Sequence, residues 1–460
     1  MKAVDFEHGR VGTNIFKSAV PMLVAQVFSL LYNIVDRIFI GRIHGVGTAA
    51  LGGVGLCFPI IILILAFTNL FGTGGAPLFS IALGARDKPS ARRIQNTTFT
   101  MLSAASLVLM LIFLIFSKPL LIRFGASDAA LQYALPYLRI YLIGTFFVMT
   151  GTGMNMFINA QGFPMVGMLT VILGAVSNLI LDPLFIFAFG LGVRGAAIAT
   201  VISQAGSALF ALLFLHGRRT LFKLHFLRPK EWAGALTDAR NIITLGTSGF
   251  IMLFTNSLVQ MACNVMLSRY GGDLYVSVMT IVSSVRQFLE VPVLAISEGS
   301  SPVLSYNYGA GKGQNVKSGI RIMAAAGMLY TLVVWILILW KPHFFISIFS
   351  NDKTILVDAV PALRIYFFAF IFQALQFAGQ TTFKALGKSK QAIFFSLFRK
   401  AVMVVPLTFL LPGVFGLGTD GVFMAEPISN FVGGTACFIT MLLTILPELN
   451  KMKPANQTLQ

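Results

Sequence analysis

The chain has 460 residues, of which 56% are hydrophobic and only 11% charged, and its mean hydropathy is +0.83. Soluble domains carry about a quarter of their residues as charges, so the composition excludes a soluble fold and points to a bilayer. Lys and Arg (34) outnumber Asp and Glu (16), and where the resulting net charge of +18 falls decides whether it marks a nucleic-acid partner.

Twelve apolar runs follow one another, near 14–40, 51–76, 94–117, 131–157, 165–189, 194–216, 241–268, 276–302, 318–340, 358–381, 391–412 and 420–446. About 20 apolar residues cross the hydrocarbon as a helix. The expected fold class is therefore an all-α polytopic membrane protein with twelve transmembrane helices. Asp5, Glu7 and Arg10 lead directly into a full-length first run, so no short cleavable leader is expected.

The first run carries Gln26, Ser29, Asn33 and Asp36 at helical spacing, one polar stripe, with Pro21 earlier on the same helix. Proline removes a backbone donor and can bend a helix. The fifth run places Asn178 and Asp182 four residues apart on one face, followed by Pro183, and the sixth brings Thr200. The seventh carries Asn256, Gln260 and Asn264, and the tenth Gln373, Gln376 and Gln380. The eighth holds Arg286 and Glu290 at i and i+4, then Glu298. Two readings of Arg286 and Glu290 stay open: a mutually neutralising pair, or a glutamate facing a cavity and attracting cations. Glu426, before Pro427 on the twelfth run, is left without a role.

Charge mapping removes the nucleic-acid reading. Of the 34 basic residues, 23 are assigned to the N-terminus, the even-numbered loops and the tail. Eight fall in odd-numbered loops and nearby helix ends, and Arg139, Arg286 and Arg364 lie inside helices. This is the positive-inside pattern, and it predicts cytoplasmic termini and no nucleic-acid partner. Cys57, Cys263 and Cys437 all fall in apolar runs, which excludes a disulfide framework and zinc spacing. The five histidines lie outside the helix cores, so no histidine relay is expected. The stretch Gly309-Ala310-Gly311-Lys312-Gly313 lacks phosphate-loop spacing, so energy is expected from an ion gradient rather than a nucleotide.

The chain repeats at an offset of about 225 residues. Ser80-Ile81-Ala82-Leu83-Gly84-Ala85 returns as Ser305-Tyr306-Asn307-Tyr308-Gly309-Ala310, and Pro136-Tyr137-Leu138-Arg139-Ile140-Tyr141 as Pro361-Ala362-Leu363-Arg364-Ile365-Tyr366. Six helices per copy make the copies parallel repeats about an axis along the membrane normal. The expected organisation is an N-lobe over 1–217, a basic cytoplasmic linker over 218–240, a C-lobe over 241–447 and a cytoplasmic tail over 448–460. The two six-helix bundles are expected to form a V around a central cavity. Gln26, Asn33, Asn256, Gln260, Glu290, Gln373 and Gln376 are its candidate lining. In the repeat, Asp36 falls opposite Cys263, Asp182 opposite Leu407 or Thr408, and Thr200 opposite Glu426, so the paired aspartates belong to the N-lobe alone. If Asp36 and Asp182 meet in low dielectric, one must be protonated or a cation must sit between them. Asn178 and Thr200 add neutral oxygens, which suit a hard cation such as Na⁺.

At these residues the chain resembles the multidrug and toxic compound extrusion (MATE) family over nearly its whole length, and looks most similar to its DinF-like and MepA-like bacterial branches. The likeness rests on Tyr32-Asn33-Ile34-Val35-Asp36, on Asn178-Leu179-Ile180-Leu181-Asp182-Pro183-Leu184-Phe185, and on the turns Gly190-Leu191-Gly192 and Gly416-Leu417-Gly418. It implies that Pro21 is the bending proline of helix 1 and Asp36 its coupling aspartate. Asn178 and Asp182 would be the helix 5 coupling pair, and Thr200 the helix 6 hydroxyl of an N-lobe cation site. The seventh run has no acid, and the tenth has none beyond Asp358, so a C-lobe sodium site is not expected. The resemblance implies a monomeric antiporter of the plasma membrane, not an enzyme. It would export drug-like organic cations and amphipathic compounds in exchange for H⁺ or Na⁺, with no cofactor besides that ion. Two other classes are less favoured: a lipid-linked glycan flippase, kept open by Arg139, Arg286 and Arg364, and a polytopic membrane enzyme, which would need convergent catalytic groups at membrane depth.

Overall fold

The computed structural model describes residues 3–349 and 353–452, so the expected tail lies outside the described residues beyond Met452. Every regular element among the described residues is helical. The chain packs as two compact units.

The first unit takes the chain's first residues through Asp5, then Val24–Leu83 and Asp87–Gly246. Its helices are α1 (Val11–Gly41, from Val24 onward), α2 (Gly47–Gly55), α3 (Phe58–Gly84), α4 (Lys88–Arg123), α5 (Asp128–Ile143), α6 (Thr145–Ala160), α7 (Pro164–Pro183), α8 (Gly192–His216) and the start of α9 (Trp232–Gly309). Local chemistry sets their ends. The Asp87 carboxylate accepts from the Ser90 amide at 3.1 Å and caps α4. Its hydrogen bonds from Ser90 hold that carboxyl below the usual range. Ser127 caps α5 through the Ala130 amide at 3.2 Å. Between α7 and α8 the chain turns through Gly190 and Gly192, with φ of 65° and 56°, which side chains other than glycine rarely adopt. Leu102, Leu138, Leu142, Phe79 and Phe157 fill the core.

The expected basic linker is laid against α4. Asn96 accepts the His225 amide at 3.2 Å, and Arg93 pairs with Asp238 at 2.6 Å. Beyond it, α9 crosses α3 at backbone contact. A Cβ on Gly246 would sit 1.7 Å from the Leu70 carbonyl oxygen, and one on Gly74 would sit 2.1 Å from that of Ile242. Small residues let membrane helices approach this closely, where van der Waals packing replaces the hydrophobic drive.

The second unit takes Phe6–Leu23, Gly84–Arg86 and the chain from Thr247. Its helices are the early turns of α1, most of α9, α10 (Gly313–Trp340), α11 (Pro342–Ser347), α12 (Lys353–Phe367), α13 (Phe370–Ala385), α14 (Ser389–Leu397), α15 (Val405–Gly413), α16 (Gly418–Ser429) and α17 (Thr435–Lys451). π-helical segments Phe398–Val404 and Asn430–Gly434 join α14 to α15 and α16 to α17. The glycine turn recurs at Gly416 and Gly418, with φ of 69° and 55°. Before α1, Glu7 pairs with Arg86 at 2.5 Å, and its carbonyl accepts from Lys312 at 2.6 Å. The Arg86 hydrogen bond holds the Glu7 carboxyl below the usual range.

Nine helices among the described residues are long and apolar enough to cross a bilayer. One of them, α9, is two helices meeting at Gly272 (φ 67°, ψ −165°). Two further spans are bent pairs, α5 with α6 at 53° and the body of α12 with α13 at 44°. Counting each half of α9 and each bent pair once recovers all twelve predicted runs. The chain is a multi-pass membrane protein, and exposed mid-helix residues such as Ile115, Leu213, Leu329 and Leu443 suit a lipid-facing surface.

Gly246→Ala is expected to destabilise the protein by on the order of 1–3 kcal/mol, because the neighbour is backbone and cannot yield cheaply. Heating the detergent-solubilised protein and following its monodisperse fraction measures this. Gly206→Ala, where a Cβ meets nothing within 4 Å, is the control and should melt with the parent. If both variants melt with the parent, the α3–α9 contact does not limit stability.

Candidate functional site

Four of the predicted site residues come together in the first unit. Asn178 and Asp182 lie on the last turns of α7, 3% and 0% exposed, and Thr200 on α8 is 9% exposed. The Asn178 side-chain amide donates to Asp182 Oδ1 at 3.2 Å and to Thr200 Oγ1 at 3.4 Å. The Thr200 hydroxyl donates to the Ala196 carbonyl at 3.0 Å, so its oxygen is turned toward Asn178. Asp36, from α1, brings its carboxyl within hydrogen-bonding reach of that of Asp182. Directly after Asp182 and Pro183 the helix opens into a π-helical segment, Leu184–Ala188. Such bulges recur at functional sites.

The pair is incompletely satisfied. Asp36 Oδ1 and Asp182 Oδ2 are buried, and neither accepts a hydrogen bond from a described residue. A buried carboxylate oxygen without a donor is costly, and two adjacent carboxylates raise that cost. A proton shared by the pair, or a cation between them, satisfies both.

Sequence reasoning missed the phenols around the pair. Tyr32 lies within hydrogen-bonding reach of Asn33 and Gln204 and faces both aspartates, while Tyr137 stands near Asp36. Tyr32 was legible: it is four residues before Asp36, on the same face of α1. Pro21 is buried in α1, which continues as one helix through it. Gln26 is half-buried, and the exposed Asn33 donates to the Ser29 carbonyl at 2.6 Å.

The remaining candidate residues lie in the second unit. Asn256 and Gln260 are exposed, with Gln260 donating to Asn264 at 3.1 Å. Gln373 is 1% exposed and donates to Glu290 Oε1 at 2.5 Å, and Gln376 is buried. Glu290 also accepts from Arg286 Nε, so the i, i+4 pair is formed.

That pair belongs to a larger network. Glu426, 1% exposed, accepts on Oε1 from Arg286 Nη2 at 2.7 Å, Arg399 Nη1 at 2.9 Å and Lys400 Nζ at 2.8 Å. Arg399 Nη1 also donates to Asn430 at 2.8 Å, and the Arg286 guanidinium lies 5.2 Å from the Tyr366 ring centroid. This corrects the charge map. The 23 basic residues assigned outside the helices include Arg399 and Lys400, although both fall within the eleventh run, and they lie inside the span Ser389–Gly413 with largely buried side chains. The signal was present: the dipeptide stands between the apolar stretches 392–398 and 401–411. Arg139 and Arg364, by contrast, are exposed.

The comparisons with known proteins agree with this architecture. The MatE family model matches residues 21–184 and 249–410. The multidrug export protein MepA of Staphylococcus haemolyticus is 26% identical over 447 residues, covering 97% of this chain and 96% of that protein. MepA of Staphylococcus aureus is 25% identical over 439 residues, covering 95% of each. Among solved structures, an outward-facing multidrug resistance MATE family transporter of the MOP superfamily superposes with a TM-score of 0.90 at 24% identity, covering 98% of this chain and 99% of that one. A MOP superfamily transporter from Pyrococcus furiosus gives a TM-score of 0.89 at 24% identity, with the same coverage. With both halves matched by one family model and relatives aligned from end to end, this chain belongs to the MatE family of membrane transporters.

Proposed function

We propose that the protein is a secondary active multidrug efflux antiporter of the plasma membrane, exporting organic cations and amphipathic compounds in exchange for H⁺. The observation that carries this is the buried Asp36–Asp182 pair, with one donorless oxygen on each carboxylate. The multidrug export proteins that align along the whole chain support the same reading. The basic loops favour cytoplasmic termini.

The coupling step follows from the charge of the pair. With one carboxylate ionised, the site attracts a cation and keeps a demand for solvation. A proton entering from outside neutralises the pair and removes that demand. Helix α1 carries both Asp36 and Pro21, so a change in charge at one can be relieved by bending at the other. Asn178 and Thr200 add neutral oxygens beside the pair, so Na⁺ fills the same place and competes with H⁺.

Asp36→Asn is expected to abolish substrate efflux from proteoliposomes, under a pH gradient and under a sodium gradient imposed separately, while the protein still inserts. Wild-type rates at matched reconstitution would remove Asp36 from the mechanism. Asp182→Asn tests the shared site. It should lose pH-driven transport and Na⁺ binding together, and retention of both would show that the two ions do not meet at this pair.

A further inference from the structure

The second unit builds its own buried polar centre where the repeat puts the counterpart of the aspartate site. Cys263 falls opposite Asp36, Leu407 or Thr408 opposite Asp182, and Glu426 opposite Thr200. Cys263, Thr408 and Glu426 do converge: Cys263 lies within hydrogen-bonding reach of Thr408 and beside Glu426. The fold therefore repeats the site while its chemistry changes from two acids to an acid ringed by cations.

The ring carries a surplus. With all groups ionised, Arg286, Arg399 and Lys400 face Glu290 and Glu426, three positive charges against two negative. An uncompensated charge at membrane depth is costly. The surplus also has a free face. Arg399 places only Nη1 on Glu426 and Asn430, and its Nε and Nη2 donate to no described residue. Its side chain is 11% exposed, so those donors are not sealed in the core. Arg399 and Lys400 lie in the π-helical segment Phe398–Val404, and Asn430 opens another. Nearby, Gln373 Oε1 and Gln376 Oε1 are buried acceptors without a described donor.

We infer that this centre is a binding site for the anionic group, a carboxylate or a phosphate, of an amphipathic molecule whose remainder is aromatic or cationic. The anion supplies the missing negative charge and takes the spare donors of Arg399, which present the fork that suits carboxylates. The buried amide oxygens accept from the same molecule's donors. The inference deepens the export reading by naming a class of cargo, zwitterionic rather than simply cationic, and rests on that reading only for calling the ligand cargo.

Binding tests it without any gradient. The probes are tetramethylrhodamine, which carries a free carboxylate, and its methyl ester, which differs in that one charge. Fluorescence anisotropy is measured with purified protein in phosphatidylcholine nanodiscs. The wild type is expected to prefer the acid over the ester. Lys400→Gln, which removes the surplus, should lower the acid-to-ester affinity ratio by about tenfold, as loss of a charge-assisted interaction would. Glu290→Gln, which raises the surplus, should increase it, and this opposite sign keeps the test open if the first variant does not fold. A ratio of one in the wild type, or one that neither variant moves, overturns the inference. Loss of the acid preference in phosphatidylglycerol nanodiscs would overturn the assignment to cargo and give the site to a lipid headgroup. The outcomes separate from those of the export reading: an active Asp36→Asn variant leaves this site standing, and an unmoved ratio leaves coupled export standing.

Discussion

Charge in hydrocarbon needs a partner, and each unit meets that constraint in its own way. In the first unit, Asp36 and Asp182 meet with one donorless oxygen each. In the second, Glu426 accepts from three cations and Glu290 from an arginine and an amide. The first arrangement leaves one carboxylate oxygen on each aspartate without a donor, a need that a proton or a cation would meet. The second is held by short contacts, and breaking a buried pair by removing one partner is far costlier than any net gain from the pair itself. The internal repeat supplies one backbone frame, and different residues at its equivalent positions give an acid pair in one copy and an acid ringed by cations in the other.

Much of the fold was legible because hydrocarbon is a severe solvent. A span must satisfy its own backbone, so long apolar runs read directly as helices. All twelve runs reappear as spans, and the glycine turns before α8 and α16 adopt the left-handed conformation at matching positions. Bends were not legible. The break between α5 and α6 falls at Gly144, where a Cβ would press on Val201 at 2.8 Å. That depends on a residue nearly sixty positions away, which no local pattern records. The meeting of Asp36 and Asp182 was legible only as a requirement of the ion coupling that the family resemblance implies, because no spacing within either helix brings the two together.

The misplacement of Arg399 and Lys400 shows where local reading stops. Basic residues near a helix end are normally cytoplasmic, and the positive-inside count places them there. Their true environment is set by Glu426, on a helix that follows in sequence, and by Arg286, more than a hundred residues earlier. Glu426 alone looked unexplained, and Arg399 and Lys400 alone looked ordinary. Only the tertiary fold makes each the reason for the other. A conflict between a topology count and an apolar run that continues past two charges is therefore better read as a buried pair than as a shifted boundary.

The π-helical segments join the two centres to the backbone that carries them. Leu184–Ala188 follows Asp182, Phe398–Val404 contains Arg399 and Lys400, and Asn430–Gly434 begins at the partner of Arg399. A π-turn inserts one residue into an α-helix and re-aims the side chains around it. In an undistorted helix, neighbours such as Arg399 and Lys400 point about 100° apart. In the widened segment both reach one carboxylate. Irregular backbone in a membrane span is tolerated only where the freed groups find protein partners, and here it coincides with the buried charged centres. Helix distortion and buried charge thus sustain each other: the charges need converging side chains, and the distortion needs polar partners.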